Sequence, residues 1–108
     1  MIKKILQYQT REGSVPFREW LLSLSDLKVR ARIRARLDRL LLGNFGDCKA
    51  VGKGIFELRL HFGSGYRIYF GLDDRVIVVL LLGGDKTRQT KDIQKSQEYW
   101  QDYLRRRS

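Results

Sequence analysis

The eight residues from Ile55 to Phe62 alternate between apolar and polar side chains, and no other feature of the sequence limits the fold so strongly. The two sets are Phe56, Leu58, Leu60 and Phe62 on one side and Glu57, Arg59 and His61 on the other. A period of two is typical of a β-strand with one face on a core and the other face polar. The segment therefore predicts a sheet and indicates which side chains share its polar face.

Two more strands are predicted directly after this one. The glycines of Gly63-Ser64-Gly65 allow positive φ and predict a hairpin turn, after which Tyr66 to Gly71 is the return strand. Asp73-Asp74 predicts a second turn. Val76 to Leu82 is wholly apolar, which suits the middle of a sheet covered on both faces. The three strands are expected to form an antiparallel meander.

One more strand and three helices complete the prediction. Ile2 to Gln9 is a first strand, Ser14 is placed to cap a helix that starts at Pro16, and a second helix runs from Ser25-Asp26 to about Leu42. A last helix runs from about Thr87 to Arg106. Its expected packing stripe is Ile93, Trp100 and Leu104. The order β-α-α-β-β-β-α predicts an α+β fold of two layers, with helices packed on an antiparallel meander sheet.

Composition limits the class of protein. A length of 108 residues predicts a single domain over residues 1–108. The 22 Lys and Arg against 12 Asp and Glu give 22 − 12 = +10 at pH 7, so anionic partners are expected. One histidine and one cysteine, Cys48, exclude a structural zinc site and an internal disulfide. No apolar run approaches the ~20 residues of a membrane span and no secretory signal is visible, which predicts a cytoplasmic protein without a membrane partner.

Basic and aromatic side chains are expected to gather on one face of the sheet. Cross-strand neighbours lie about 5 Å apart, so the side chains of adjacent strands can converge. The alternation places four of them on this face, namely Arg59, His61, Arg67 and Tyr69. Lys86 follows two glycines after the third strand, and these let the backbone turn sharply toward that face. Lys53 enters from the opposite end, in a loop flanked by glycines.

These side chains suit the cleavage of an RNA phosphodiester without a metal or another cofactor. Arginines can hold a phosphate through two hydrogen bonds. Cleavage also needs the 2′-hydroxyl deprotonated, the charge on phosphorus stabilised and the 5′-oxygen protonated. Arg67 and Lys86 are predicted to stabilise the charge and Arg59 to position the phosphate. No pair of carboxylates is placed to bind Mg²⁺, so a two-metal nuclease is disfavoured.

The groups that transfer protons remain open at this level. The base is His61 or Lys53, and Tyr69 is a stacking or proton-donating partner. Plainer alternatives are a surface histidine, an ordinary loop lysine, and a surface ion pair of Arg59 with its strand neighbour Glu57. The second helix carries a basic stripe that includes Arg32 and Arg36. The stripe is expected either to bind RNA or to be a solvated helix face.

Three short motifs occur together in the second half of the chain: Glu-Leu-Arg at 57–59, Gly-Tyr-Arg at 65–67 and Gly-Asp-Lys at 84–86. With them, nearly the whole chain resembles the RelE/ParE/HigB superfamily of type II toxins, in particular the phage-related addiction-module killer proteins. The resemblance implies a microbial RelE-like fold and, for RelE- and HigB-type members, cleavage of mRNA in the ribosomal A site, which inhibits translation. It also implies that Arg67 contacts phosphate and that Lys86 and Arg59 occupy basic positions of the site.

The same resemblance implies partners and leaves alternatives. A neutralising antitoxin encoded alongside is expected, as a small helix-turn-helix protein, and the complex is expected to bind operator DNA. ParE-type members share the fold but inhibit DNA gyrase without being nucleases, and a fold does not decide between the two functions. A third interpretation is a module that holds RNA without cutting it. RelE-type enzymes carry a tyrosine where this chain has Lys91-Asp92, so that role passes to Tyr69 or His61 or is unfilled.

Overall fold

A computed structural model describes residues 1–107, which form a five-stranded sheet and three α-helices. The strands are β1 (Lys4–Gln7), β2 (Cys48–Ala50), β3 (Ile55–Leu60), β4 (Tyr66–Asp73) and β5 (Ile77–Asp85). The helices are α1 (Pro16–Ser23), α2 (Leu27–Leu41) and α3 (Gln89–Arg107), and a 3₁₀ turn over Lys86–Arg88 joins β5 to α3. The predicted α+β class is confirmed. Within residues 1–107, no helix combines the length and apolar character that a transmembrane span requires.

The strands lie in the order β1-β5-β4-β3-β2, and the predicted antiparallel meander is formed by β3, β4 and β5. Gly63 and Gly65 in the β3–β4 turn both have positive φ, as predicted. Strand β1 pairs in parallel with β5 and makes that strand an internal one. Strand β2 was not predicted, because its three residues show no alternation; it pairs antiparallel with β3.

The pairing of β4 with β5 contains a bulge. Tyr69 lies opposite Leu82 and Phe70 lies opposite Leu80, so Leu81 is an extra residue on β5. Two adjacent glycines follow it and face opposite sides of the sheet. A Cβ on Gly83 would lie 2.1 Å from the Trp20 ring of α1, and one on Gly84 would lie 2.0 Å from the Asp92 carboxylate of α3. Both helices approach the sheet this closely because glycine has no side chain.

Helices α1 and α2 cover one face of the sheet with an apolar core. The residues buried there come from both helices and from the three strands of the meander, including Phe17, Leu21, Ile33, Leu40, Leu58, Ile68, Phe70 and Leu80. Helix α1 does not begin with a side-chain cap from Ser14 as predicted; Glu19 accepts hydrogen bonds from the Ser14 hydroxyl and the Val15 amide. The Asp26 side chain caps α2 by accepting from the Lys28 amide at 2.9 Å.

Helix α3 covers the other face of the sheet. Its C-terminal half packs through Trp100, which shares an apolar cluster with Tyr8, Ile55, Val79 and Leu81. The predicted stripe is correct for Trp100, and Leu104 packs half-buried beside it. Ile93 is also half-buried but does not join this cluster. The buried residues of α3 are instead Asp92, Ser96 and Trp100. The N-terminal half of α3 therefore faces the sheet with polar side chains.

Candidate functional site

The basic residues of the meander meet at one end of the sheet. Strand β3 ends there, β4 begins there, and β5 ends there before the chain enters α3. Arg59 of β3 lies directly opposite Arg67 of β4, and Arg67 lies opposite Gly84 of β5. The predicted convergence of the two arginines on neighbouring strands therefore corresponds to one cross-strand rung.

A buried carboxylate joins these two arginines. Glu57 has no exposed surface, and its Oε1 accepts a hydrogen bond from Arg59 Nε at 3.0 Å. Its Oε2 accepts from Gln89 Nε2 at 2.9 Å and lies 3.5 Å from Arg67 Nε, an ion-pair distance. Arg59 and Glu57 are thus paired, but the carboxylate lies beneath α3 rather than on the surface.

Glu57 is an anion in the folded protein. Burial alone would raise its pKa, but hydrogen bonds from Arg59 and Gln89 and the charge of Arg67 outweigh burial, and the pKa lies below its ordinary value. Two arginines and one carboxylate leave this cluster with a net charge of +1. An anionic ligand is therefore favoured at the exposed side of the pair.

Lys86 lies next to this cluster at the end of β5. The preceding residue, Asp85, pairs with Tyr66 of β4, so Lys86 follows directly after the rung beside Arg67. The Asp85 carboxylate accepts hydrogen bonds from the amide and the hydroxyl of Thr87, which defines the turn into α3. The Lys86 side chain is exposed, and its ammonium has no partner within residues 1–107. It is free to contact a ligand.

Tyr69 was predicted as a stacking or proton-donating partner, and its position does not suit stacking. The residue lies opposite Glu57 and is fully buried. Within residues 1–107 its hydroxyl has no hydrogen-bond partner. Burial, with the negative charge of Glu57, raises the pKa of Tyr69 far above its ordinary value. A ring without exposed surface presents no face to a nucleobase, so Tyr69 belongs to the interior of the site.

An open cleft of about 410 Å³ adjoins the cluster at the outer edge of β3. Its lining includes Arg32, Arg36, Arg39, Arg59, His61 and Phe62. His61 is 70% exposed, and its Nε2 is bonded to the Asp47 carboxylate, whose pKa is lowered chiefly by that hydrogen bond. The structure thus places His61 beside Arg59 but turns it away from Tyr69, toward the loop before β2.

The two predicted basic residues of α2 differ in their surroundings. The Arg32 guanidinium is exposed and lies 4.4 Å from the centre of the Phe62 ring, a cation–π contact. Arg36 is buried, donates from Nη2 to the Phe45 carbonyl at 2.7 Å, and has its pKa lowered mainly by burial. Arg32 is available to a ligand, whereas Arg36 holds the loop that follows α2.

Lys53 is not brought to this site. It lies in the turn before β3, and the six residues to Arg59 span about 20 Å of extended strand. Its neighbours around a surface pocket belong to the middle and the C-terminal part of α3, from Gln94 to Arg105. Its backbone has a φ of +53°, which few non-glycine residues adopt. The position of Lys53 therefore separates it from the arginines and leaves His61 as the candidate base near them.

Several members of the site were not predicted. Gln89 and Asp47 were not predicted because both lie outside the meander in sequence and contact the site only in the folded chain. The burial of Glu57 was not predicted either. Its position on the same strand as Arg59, facing the strand of Arg67, could have indicated that it pairs with both arginines. Within residues 1–107, no three His, Cys, Asp or Glu side chains come together to hold a metal ion.

The chain is similar to a described protein family and to a bacterial protein. A family model described as phage derived protein Gp49-like (DUF891) matches residues 19–98, which include both arginines of the rung, Lys86 and the cleft. A protein of Haemophilus influenzae described as uncharacterized is 49% identical over 83 residues, which is 77% of this chain and 84% of that protein.

Proposed function

The chain belongs to the Gp49-like family of phage-derived proteins, and from this premise we propose that it is the toxin of a type II toxin–antitoxin system. We further propose that it is a metal-independent, ribosome-dependent mRNA endoribonuclease that inhibits translation. One observation carries the activity: Arg59 and Arg67 share one buried carboxylate beside the exposed Lys86. The resemblance of the three motifs to addiction-module killer proteins supports the toxin role.

The charges of the site match the reaction. The 2′-oxygen of the RNA attacks phosphorus, the bond to the 5′-oxygen breaks, and the products carry a 2′,3′-cyclic phosphate and a 5′-hydroxyl. The phosphorane transition state carries about two negative charges, where the ground-state phosphate carries one. Arg59, Arg67 and Lys86 less Glu57 give 3 − 1 = +2. The site therefore stabilises the transition state more than the ground state.

Proton transfer is assigned to the exposed groups of the site. The Asp47 carboxylate bonds to His61 Nε2, so in the neutral ring Nε2 carries the proton and Nδ1 is free to accept one from the 2′-hydroxyl. Lys86 is a proton donor for the 5′-oxygen. Arginine has too high a pKa for this role, so Arg59 and Arg67 only orient and stabilise the phosphate.

Primer extension on an mRNA translated with purified ribosomes tests this activity. We expect Arg67→Ala and Lys86→Ala each to cut about 100-fold more slowly than the wild type, because each removes a cation that faces the developing charge. Arg34→Ala is the matched control, since it removes one exposed arginine from a part of α2 outside the cleft and should cut normally. Full activity in both site variants would contradict the assignment.

A gyrase supercoiling assay beside the RNA assay separates this function from gyrase inhibition. Cleaved mRNA with cyclic phosphate ends supports the nuclease. Stabilised gyrase–DNA complexes without RNA cleavage would overturn the nuclease and support gyrase inhibition. Binding of RNA without either effect would indicate a module that holds RNA without cutting it. Omitting ribosomes shows whether they are required.

The proposed function includes a cognate antitoxin. A domain with a charge of +10 and an exposed basic site suits an acidic or amphipathic partner that masks the site. We propose a small helix-turn-helix protein encoded beside the toxin, in a cytoplasmic complex that binds its own operator DNA. Co-expression of the adjacent reading frame should suppress toxicity, and failure to do so would contradict this partner.

A further inference from the structure

We propose that Glu57 is the positioning residue of the site: its carboxylate aims the guanidinium groups of Arg59 and Arg67 at the RNA phosphate. The inference rests on the proposed nuclease function and deepens it. It assigns a role to a residue that touches neither the substrate nor the solvent.

The contacts of Glu57 leave the outer side of each arginine open. Arg59 Nε donates a hydrogen bond to the carboxylate at 3.0 Å, and Arg67 Nε lies 3.5 Å from it, an ion pair without a hydrogen bond. Arg67 also donates from Nη1 to the Gly65 carbonyl at 3.1 Å. Within residues 1–107, the Nη atoms of Arg59 and Nη2 of Arg67 have no hydrogen-bond partner. These are the atoms that a phosphate would contact.

A carboxylate at this position is not needed for packing. Taking an ion pair out of water costs free energy, and apolar residues of similar volume commonly stabilise a core as well or better. The Glu57 carboxylate contacts the polar side chains of Arg59, Arg67 and Gln89. Each of the two arginines is partly exposed at its far end, with 30% and 11% of the side chain accessible. The buried charge therefore acts toward the exposed end of the site.

Replacing the carboxylate by an amide should move two measurements in opposite directions. Glu57→Gln raises the net charge of the site from +2 to +3, which favours binding of an RNA anion. It also releases two arginines from a fixed geometry, which slows the reaction. A residue with only a structural role would weaken binding and cleavage together, because both would follow the folded fraction.

The experiment compares cleavage with binding on the same RNA. Single-turnover cleavage is measured on an mRNA with the wild-type cut site in the ribosomal A site, and binding on the same mRNA with a 2′-deoxynucleotide at that site. We expect Glu57→Gln to cut about 100-fold more slowly and to bind at least as tightly as the wild type. The matched control is Asp74→Asn, which removes one negative charge from the exposed β4–β5 turn and should change neither measurement. Its φ of +53° is one that Asn adopts readily.

Glu57→Asp tests the geometry at constant charge. The shorter side chain cannot reach both arginines, so we expect cleavage to fall about 10-fold with unchanged binding. Circular dichroism and thermal melts establish that each variant is folded.

A double variant tests whether Glu57 acts through Arg67. In an Arg67→Ala background, Glu57→Gln should cause less than half of its usual loss in cleavage rate on a logarithmic scale, because one of the groups that Glu57 positions is gone.

Three outcomes would overturn the inference. A folded variant of Glu57 that cuts as fast as the wild type would do so, as would parallel losses of binding and cleavage. If neither Glu57 variant folds, the residue is structural and the inference fails. A wild-type protein that cuts no RNA overturns the proposed function itself, whereas a normal wild type with an unaffected Glu57→Gln overturns the positioning role alone.

Discussion

The two faces of the sheet pack against different kinds of side chain. The face under α1 and α2 is apolar, with Phe17, Ile33 and Phe70 fully or almost fully buried there. The face under α3 is apolar only around Trp100 and polar beneath the first turns of the helix. Within residues 1–107, the buried side-chain atoms that lack a hydrogen bond all lie in this polar half. They belong to Arg67, Tyr69, Asp92 and Ser96.

The apolar parts of the sheet and the part that holds the candidate site therefore contribute differently to stability. Buried polar groups are normally hydrogen-bonded, and a group left without a partner costs free energy. The polar half of the α3 face carries that cost at the place where the candidate site lies. The apolar face and the Trp100 cluster supply the stability that offsets it.

The largest expected effect is at Trp100. Its ring stacks on Tyr103 at 5.2 Å and lies directly over Gly71, where a Cβ would be 2.4 Å away. We expect Trp100→Ala to lower the free energy of unfolding by about 3–5 kcal/mol, measured by urea denaturation. The control, Ser96→Ala, lies one turn earlier in the polar half and should stabilise by about 0.5 kcal/mol, since it removes an unpaired hydroxyl and adds a good helix former. Equal losses would erase the distinction between the halves.

The adjacent glycines at the end of β5 compare the two faces directly. Gly83→Ala places a methyl group against the rigid Trp20 ring in the apolar layer and should cost about 1–3 kcal/mol. Gly84→Ala meets only the end of the Asp92 side chain, which can rotate, and should cost less than about 1 kcal/mol. Thermal melts of the pair measure the difference. A larger loss at Gly84 would mean that the polar half is packed as tightly as the apolar one.

The last expected effect is small and depends on pH. Burial raises the pKa of Asp92 above its ordinary value, because its partner Arg88 is 4.0 Å away and 69% exposed. The ionised carboxylate therefore destabilises the fold at neutral pH. This cost is fully present above the raised pKa and disappears below the ordinary value, where the group is neutral in both states. We expect Asp92→Asn to stabilise by about 1 kcal/mol at pH 7.

The advantage of Asp92→Asn should shrink as the pH falls toward 4. Chemical denaturation at a series of pH values measures it. Glu57 has the opposite sign, since its lowered pKa makes its contribution to stability disappear as the pH falls through that value. An Asp92→Asn advantage that does not change with pH would show that the carboxylate is not desolvated.

The alternation in β3 made much of the sheet predictable. With the turn residues after it, the alternation identified the strand, two turns and the shared face of Arg59 and Arg67, because strand periodicity and turn residues are local signals; the direct pairing of the two arginines came only from the structure. The alternation did not reveal what covers the polar face. Glu57 has the same pattern whether solvent or a helix lies above it, so its burial beneath α3 depends on tertiary packing.

The stripe of α3 was harder to predict for a related reason. Periodicity assigns apolar residues to the buried side, and it therefore selected Ile93. A helix that packs on a polar patch buries its polar residues instead, here Asp92 and Ser96. Likewise Arg36 belongs to a regular basic stripe of the sequence. It is buried because its guanidinium donates to the Phe45 carbonyl, a contact that no local sequence pattern indicates.

The extra residue at Leu81 decides which glycine lies beneath which helix. Leu81 packs with Trp100 on the α3 face, whereas Gly83, two residues later, lies against Trp20 of α1. In a regular strand these two residues would share a face, so the bulge shifts the alternation by one residue. Without that shift, Gly84 would lie beneath Trp20 and Asp85 would point at α3 in place of a glycine. A homologue that lacks one residue here should therefore have lost the bulge and kept both glycines on their present faces.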